Sequence, residues 1–145
     1  GGCLTGPQHS GVELHGFLSY IVNCAVSGNK YTIFGYKGKQ VRDQIHSLDV
    51  IRAFECFVAN PKKGAVYNIG GGFQNSASIL EIIEILAKNH DLKLDYSLSE
   101  KNRIGDHICY YSNLEKIKKE LNWDITISLE EIVDEIVQEC KLRKK

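Results

Sequence analysis

The chain has 145 residues, of which 43% are hydrophobic and 25% are charged, so we expect a single folded domain over residues 1–145. Its 18 Lys and Arg residues balance 18 Asp and Glu residues, which excludes the basic surface by which proteins bind nucleic acid. The apolar runs are shorter than the ~20 residues that span a bilayer, which predicts no membrane partner.

The amino-terminal third predicts a loop, a helix and two strands. Residues 1–16 form the predicted loop, and the lack of Met or a signal-peptide pattern favours a portion cut from a longer protein. A helical pattern at residues 17–26 ends at Gly28. Two β-branched and aromatic segments at 31–34 and 40–46 then predict strands on either side of a glycine turn.

The rest of the chain alternates helices and strands. Ser47 starts a helix that ends before Pro61, and Glu81 lies three residues after Ser78, as in the capping box that starts a helix. The other predicted elements are strands at 65–69 and 92–98, helices at 79–88, 113–121 and 128–142, and a frayed basic tail at 141–145. This alternation predicts an α/β fold with a small sheet and several helices.

The five cysteines are dispersed without a CxxC pair or a Cys/His cluster. This pattern indicates neither a disulfide framework nor a metal site, and we expect reduced thiols in a cytoplasmic protein.

Motifs for catalysis are also absent. No GxGxxG dinucleotide fingerprint exists, because Asn75 stands where the third glycine after Gly70 and Gly72 is required. None of the seven tyrosines is followed four residues later by Lys.

A first ligand-binding pattern covers residues 33–43. Here a strand delivers Phe34 to a glycine turn, and a second strand carries Arg42 beside Asp43. A guanidinium can bind a diphosphate through two parallel hydrogen bonds, and an aromatic ring can stack on a base. The alternative is that Phe34 belongs to the core and that Arg42 and Asp43 form an ordinary surface pair.

A second polar loop covers residues 102–107. Arg103 is suited to bind a phosphate, and Asp106 can accept hydrogen bonds from ribose hydroxyls. The alternative is a solvated loop without a ligand. His46, which lies where a strand enters a helix, is interpreted as a packing or capping residue rather than a functional one.

The order of these motifs resembles that of extended short-chain dehydrogenases that act on nucleotide-sugars. The matching segments are Phe34-Gly35, Arg42-Asp43, Asn68 to Gly72, and Arg103 to Asp106. Within that family the chain is most similar to CDP-paratose 2-epimerases, through residues 38–43, His46 and the early Gly6-Pro7-Gln8-His9. UDP-sugar 4-epimerases and nucleotide-sugar 4,6-dehydratases have similar Gln-x-Arg-Asp segments and stay as alternatives.

The resemblance implies the carboxy-terminal, substrate-binding part of an NAD-dependent nucleotide-sugar epimerase, with the Rossmann half absent. That half would hold most of the NAD and the catalytic residues, so this chain would be catalytically silent alone, and the full-length enzyme would be a homo-oligomer. The residues implied for a nucleoside-diphosphate-sugar are Gln8, His9, Phe34, Gln40, Arg42, Arg103 and Asp106. The residues implied for cofactor contact are Leu4, Thr5 and Pro7. A non-catalytic nucleotide-binding module is the competing hypothesis.

Overall fold

The fold alternates helices and strands, as the sequence predicts. The computed structural model describes residues 1–9, 16–102 and 105–144. The strands are β1 (Cys3–Thr5), β2 (Tyr31–Phe34), β3 (Val41–His46), β4 (Ser76–Ser78), β5 (Tyr96–Ser99) and β6 (Cys109–Tyr110). The helices are α1 (Phe17–Ser27), α2 (Ser47–Ala59), α3 (Ile79–His90), α4 (Glu115–Leu121) and α5 (Leu129–Leu142). Within the described residues, no helix is long and apolar enough to cross a membrane.

Strand β3 is the centre of the larger sheet. It pairs in parallel with β1, where Cys3 lies opposite Gln44, and with β6; it pairs antiparallel with β4. A separate two-stranded parallel sheet joins β2 and β5. Because side chains alternate along a strand, Arg42 and Gln44 share one face of β3, whereas Asp43 lies on the other.

The larger hydrophobic core lies among α1, α3 and α5. Helical spacing brings one apolar stripe of each helix inward, including Ile21 on α1, Ile82 on α3 and Ile132 on α5, all fully buried. The predicted capping box at the start of α3 is confirmed, because Ser78 Oγ accepts from the Glu81 N–H and the Glu81 carboxylate accepts from the Ser78 N–H.

A smaller core lies between β3, α2 and α4. It contains Ile45, Ala53 and Trp123, and the indole N–H of Trp123 donates to the carbonyl of Asp49 at 2.9 Å. The outward side of α2 is apolar but exposed at Ile51 and Phe54. Helix α2 therefore presents an apolar surface on the side that faces away from this core.

The structure differs from the predicted elements at several places. It adds the short strands β4 and β6, and β5 begins only at Tyr96. Residues 65–69 form no strand, because the bond from the Gly2 N–H to the Ile69 carbonyl, at 2.7 Å, is not continued as a ladder along β1. Residues 3–5, predicted as loop, form β1 because β3 supplies a hydrogen-bonding edge. The predicted tail at 141–145 is helical through Leu142, and Lys144 Nζ donates to the Val26 carbonyl at 2.6 Å.

Candidate functional site

The guanidinium of Arg42 joins the two predicted ligand loops. Its Nη2 donates to Asp106 Oδ1 and to the carbonyl of His107, and its Nη1 donates to the Val41 carbonyl at 2.7 Å. Arg42 and Asp106 are 64 residues apart in sequence, and the Arg42 side chain is 13% exposed. A guanidinium has five N–H groups, so two of them are not engaged by the described residues. Arg42 is therefore held in place and can still donate to an anion.

Asp43 has a structural role on the opposite face of β3. It is 0% exposed, and its Oδ2 accepts from the backbone N–H groups of Gly72 and Ser112, each at 3.0 Å. A Cβ on Gly70 would lie 2.3 Å from Asp43 Oδ2, so only glycine fits there. The alternative of an ordinary Arg42–Asp43 surface pair is wrong, because Asp43 anchors the glycine turn inside the protein.

The turn after β2 places Phe34 and Gln40 together. Phe34 is half-buried, and its carbonyl accepts from Gln40 Nε2 at 3.1 Å. Gln40 is buried, and its Oε1 has no partner among the described residues. Gly35 has a φ of 67°, and a Cβ there would lie 2.0 Å from the Asn102 amide oxygen. The turn therefore lies against the segment that leads to Arg103, which itself is outside the described residues.

A cavity of about 380 Å³ opens between β1, β3 and the start of α1. It is lined by Gly2, Cys3, Leu4, Thr5, His9, Gly16, Phe17, Leu18, Ser19 and Gln44. Neither Gln44 nor Ser19 is among the residues predicted for the site. The sequence offers one signal that could have identified Gln44, because the two-residue period of a strand places it on the same face as Arg42. Ser19 lies in a segment whose pattern predicts only an amphipathic helix, so no feature of the sequence marks it as a site residue.

The remaining predicted residues lie in and around β1. His9 lines the cavity and its backbone N–H donates to the Gly6 carbonyl at 3.0 Å, whereas Gln8 is exposed. Thr5 is buried and its hydroxyl donates to the Ile45 carbonyl at 2.9 Å. Leu4 is exposed, and Pro7 is half-buried. Thr5 thus has its hydroxyl engaged within the protein, while Leu4 offers an apolar surface.

Two titratable side chains near the site have structural explanations. Burial, reinforced by the Asp43 carboxylate, raises the pKa of the Cys3 thiol, so the thiol is protonated at neutral pH. His46 caps α2, since its Nδ1 accepts from the Leu48 N–H at 3.1 Å, which leaves Nε2 to donate to the Glu135 carboxylate at 2.9 Å. The structure thus agrees with the capping interpretation of His46. Within the described ranges, no three His, Cys, Asp or Glu side chains form a possible metal site.

Comparisons of sequence find one family to which the chain is similar. The model of the NAD dependent epimerase/dehydratase family matches residues 3–70. The CDP-paratose 2-epimerase of Salmonella typhi is 31% identical over 108 residues, which are 73% of this chain and 31% of that enzyme. The UDP-glucose 4-epimerase of Pasteurella multocida is 29% identical over 139 residues, which are 90% of this chain and 40% of that enzyme. The chain therefore spans well under half of the length of these relatives.

Comparisons of structure give the same family. The UDP-glucuronic acid 4-epimerase of Bacillus cereus, solved in complex with UDP-glucuronic acid and NAD, is 26% identical with a TM-score of 0.82. The match covers 98% of this chain and 44% of that one. MoeE5, solved in complex with UDP-glucuronic acid and NAD, has the same fold with a TM-score of 0.84 over 98% of this chain and 46% of its own.

Proposed function

We propose that this chain, which belongs to the NAD dependent epimerase/dehydratase family, is the nucleotide-sugar-binding portion of a nucleoside-diphosphate-sugar epimerase. The observation that carries the proposal is the contact of Arg42 with Asp106, which joins two polar loops 64 residues apart. A diphosphate is an anion that the chain, with no net charge, must bind through local groups. Arg42 supplies such a group, with two N–H groups beyond those that hold it in place.

The neighbours of Arg42 match the other parts of a nucleotide. Phe34 offers a half-buried ring for the base, and Asp106 offers a carboxylate oxygen for ribose hydroxyls. Gln40 donates its amide N–H to the Phe34 carbonyl, so its Oε1 stays available as an acceptor beside that ring. An acceptor favours a base that carries an exocyclic amine, as cytosine does, which supports a CDP-sugar as in CDP-paratose 2-epimerase.

A UDP-sugar 4-epimerase or a nucleotide-sugar 4,6-dehydratase portion is the second candidate. The observation in its favour is the match to UDP-glucose 4-epimerase, which extends over 90% of this chain. Uracil presents a carbonyl where cytosine presents the amine, so a uracil-binding site would need a donor at the position that Gln40 Oε1 occupies. Rotation of the Gln40 amide by half a turn would supply one, and the base preference therefore separates the two candidates.

NAD would supply the hydride acceptor that an epimerase needs and would return the hydride to the sugar. Among the residues implied for cofactor contact, Leu4 fits as an exposed apolar surface for a nicotinamide face, whereas Thr5 has its hydroxyl bonded to Ile45. The sequence holds neither a dinucleotide glycine motif nor a Tyr-x-x-x-Lys pair. We therefore expect the chain alone to bind nucleotide-sugars without turning them over, and incubation with NAD and a nucleoside-diphosphate-sugar should yield no epimer of that sugar.

The test is a calorimetric titration of the chain with CDP, UDP and dTDP. We expect CDP to bind best and Arg42→Ala to weaken its binding by tenfold or more, since about 1.5–3 kcal/mol is lost with hydrogen bonds to a charged group. The matched control is Arg52→Ala, because Arg52 bonds Asp49 away from the site. Arg103→Ala tests the second predicted arginine. Equal affinities for Arg42→Ala, Arg52→Ala and the unsubstituted chain would contradict the proposal, and tighter binding of UDP would favour the second candidate.

A further inference from the structure

Two buried polar side chains of the cavity each have one hydrogen-bonding atom without a partner among the described residues. Gln44 is 1% exposed; its side chain hydrogen-bonds to Cys3 and its Nε2 lies 3.4 Å from the Arg42 carbonyl, but its Oε1 has no such partner. Ser19 is 5% exposed, and within the same described ranges its Oγ has no partner either. Buried polar atoms nearly always have a partner in folded proteins, so two unpaired atoms in one cavity indicate a missing hydrogen-bonding ligand.

The lining of the cavity indicates what kind of ligand this is. Among the described residues that line the cavity, none is Lys, Arg, Asp or Glu, and the Cys3 thiol is held in its neutral form. Phe17 and Leu18 add apolar surface. A volume of about 380 Å³ lies in the range of small-molecule sites. An uncharged group with hydroxyls suits this lining, whereas a phosphate would lose its hydration without gaining an opposite charge.

The position of the cavity fits the group that a diphosphate carries. Gln44 follows Arg42 by two residues on the same face of β3, a separation of about 6.6 Å along a strand. A nucleotide-sugar whose diphosphate contacts Arg42 can therefore extend its sugar towards Gln44. Ser19 lies across the same cavity, on the first turns of α1.

We propose that Gln44 and Ser19 are specificity-determining residues that hydrogen-bond hydroxyl groups of the sugar moiety. This inference rests on the proposed function and names the part of the ligand that the cavity binds. Gln44 Oε1 accepts from one sugar hydroxyl, and Ser19 Oγ exchanges a hydrogen bond with another. The diphosphate contributes nothing to these two contacts, so they should distinguish a nucleoside-diphosphate-sugar from the corresponding nucleoside diphosphate.

The experiment measures the affinities of the chain for CDP and CDP-glucose, with UDP and UDP-glucose in parallel. Gln44→Met keeps the size of the side chain and removes its hydrogen bonds; Ser19→Ala removes one hydroxyl. We expect Gln44→Met to lower the affinity for CDP-glucose by about tenfold and Ser19→Ala to lower it by about threefold. The affinity for CDP should stay constant, because only the sugar contacts are lost.

The matched control is Ser112→Ala, since Ser112 is also buried with an unpartnered hydroxyl but does not line the cavity. It should leave both affinities unchanged, and thermal unfolding should confirm that every variant is folded. If Gln44→Met fails to fold, Ser19→Ala carries the test. If the Gln44 and Ser19 variants lose affinity for CDP and CDP-glucose equally, or lose none, this inference alone is overturned. No binding of any nucleotide to the unsubstituted chain overturns the proposed function and this inference with it.

Discussion

The two faces of β3 differ in what their polar residues do, although those residues alternate along one strand of six residues. On the face towards α1 and α5, Arg42 keeps N–H groups available and Gln44 has an unpaired oxygen beside a cavity. On the face towards α2 and α4, the carboxylate of Asp43 binds backbone N–H groups of the glycine turn, and Ile45 belongs to the smaller core.

The difference shows how a strand separates binding from stability. A buried carboxylate oxygen that accepts from backbone N–H groups, as Asp43 Oδ2 does, stabilises the fold, whereas an unpaired atom that lines a cavity can contact a ligand. Asp43 Oδ1 also has no partner among the described residues, but Asp43 does not line the cavity. Adjacent charged residues such as Arg42 and Asp43 can therefore have unrelated roles. Substitutions on one face should affect unfolding, and substitutions on the other should affect nucleotide affinity.

The largest effect is expected for Asp43→Ala. This change leaves the buried N–H groups of Gly72 and Ser112 without an acceptor and should lower the free energy of unfolding by about 3 kcal/mol. Urea denaturation followed by circular dichroism measures this loss. A loss under about 1 kcal/mol would show that the carboxylate does not anchor the glycine turn.

A smaller change on the opposite face is Arg42→Lys, which keeps the charge but removes the planar fork. We expect the affinity for CDP to fall about tenfold, while the free energy of unfolding falls by less than it does for Asp43→Ala, because Lys keeps a positive charge beside Asp106. Calorimetry and denaturation on the same sample give both quantities. Loss of stability without loss of affinity would reverse the assignment of the two faces.

Asp106→Asn should have a weaker effect on binding. The amide keeps the size of the side chain but loses the charge that strengthens its bond to a ribose hydroxyl, so the affinity for CDP should fall about threefold. Asp124→Asn is the control, because Asp124 forms a surface ion pair with Lys118 at 2.8 Å. Equal affinities in these two variants would remove Asp106 from the site.

The smallest effect is expected at the start of α3. Hydrogen bonds from the backbone and side chain of Ser78 lower the pKa of Glu81 below 4.5. The Glu81 carboxylate therefore binds a proton more readily in the unfolded chain than in the folded one. The contribution of this carboxylate to the free energy of unfolding is present above pH 4.5 and is lost as the pH falls through the lowered pKa. Denaturation at several acidic pH values should show a slightly flatter pH dependence for Glu81→Gln. An unchanged dependence would contradict the capping role, and nucleotide binding should not change in either case.

Local signals in the sequence identify the helices and suggest part of the candidate site. The spacing of Ile132 and its neighbours and the Ser78-Glu81 box give α5 and α3 directly, because both signals lie within a few residues. Arg42 and Asp106 are predicted because a diphosphate and a ribose need those side chains. Their mutual contact depends on the fold and cannot be read from either loop.

Pairing between distant segments explains what the sequence leaves out. Residues 3–5 form a strand because β3 lies beside them, while the more strand-like segment 65–69 makes only the bond from the Gly2 N–H to the Ile69 carbonyl beside β1 and forms no ladder there. The cavity is formed by β1, β3 and α1 together, so the sequence around Ser19 predicts only a helix and does not indicate a cavity. Partners far apart in sequence therefore decide these features, and no local pattern records them.

An NMR titration of the ¹⁵N-labelled chain with CDP would locate the bound nucleotide. We predict that the backbone amide signals of Arg42, Asp106 and His107 shift in a saturable way, while those of Ile51 and Phe54 on the outward side of α2 stay in place. Shifts confined to α2 or to other remote surfaces, or no shifts at all, would contradict the assignment of the site to the Arg42 face of β3.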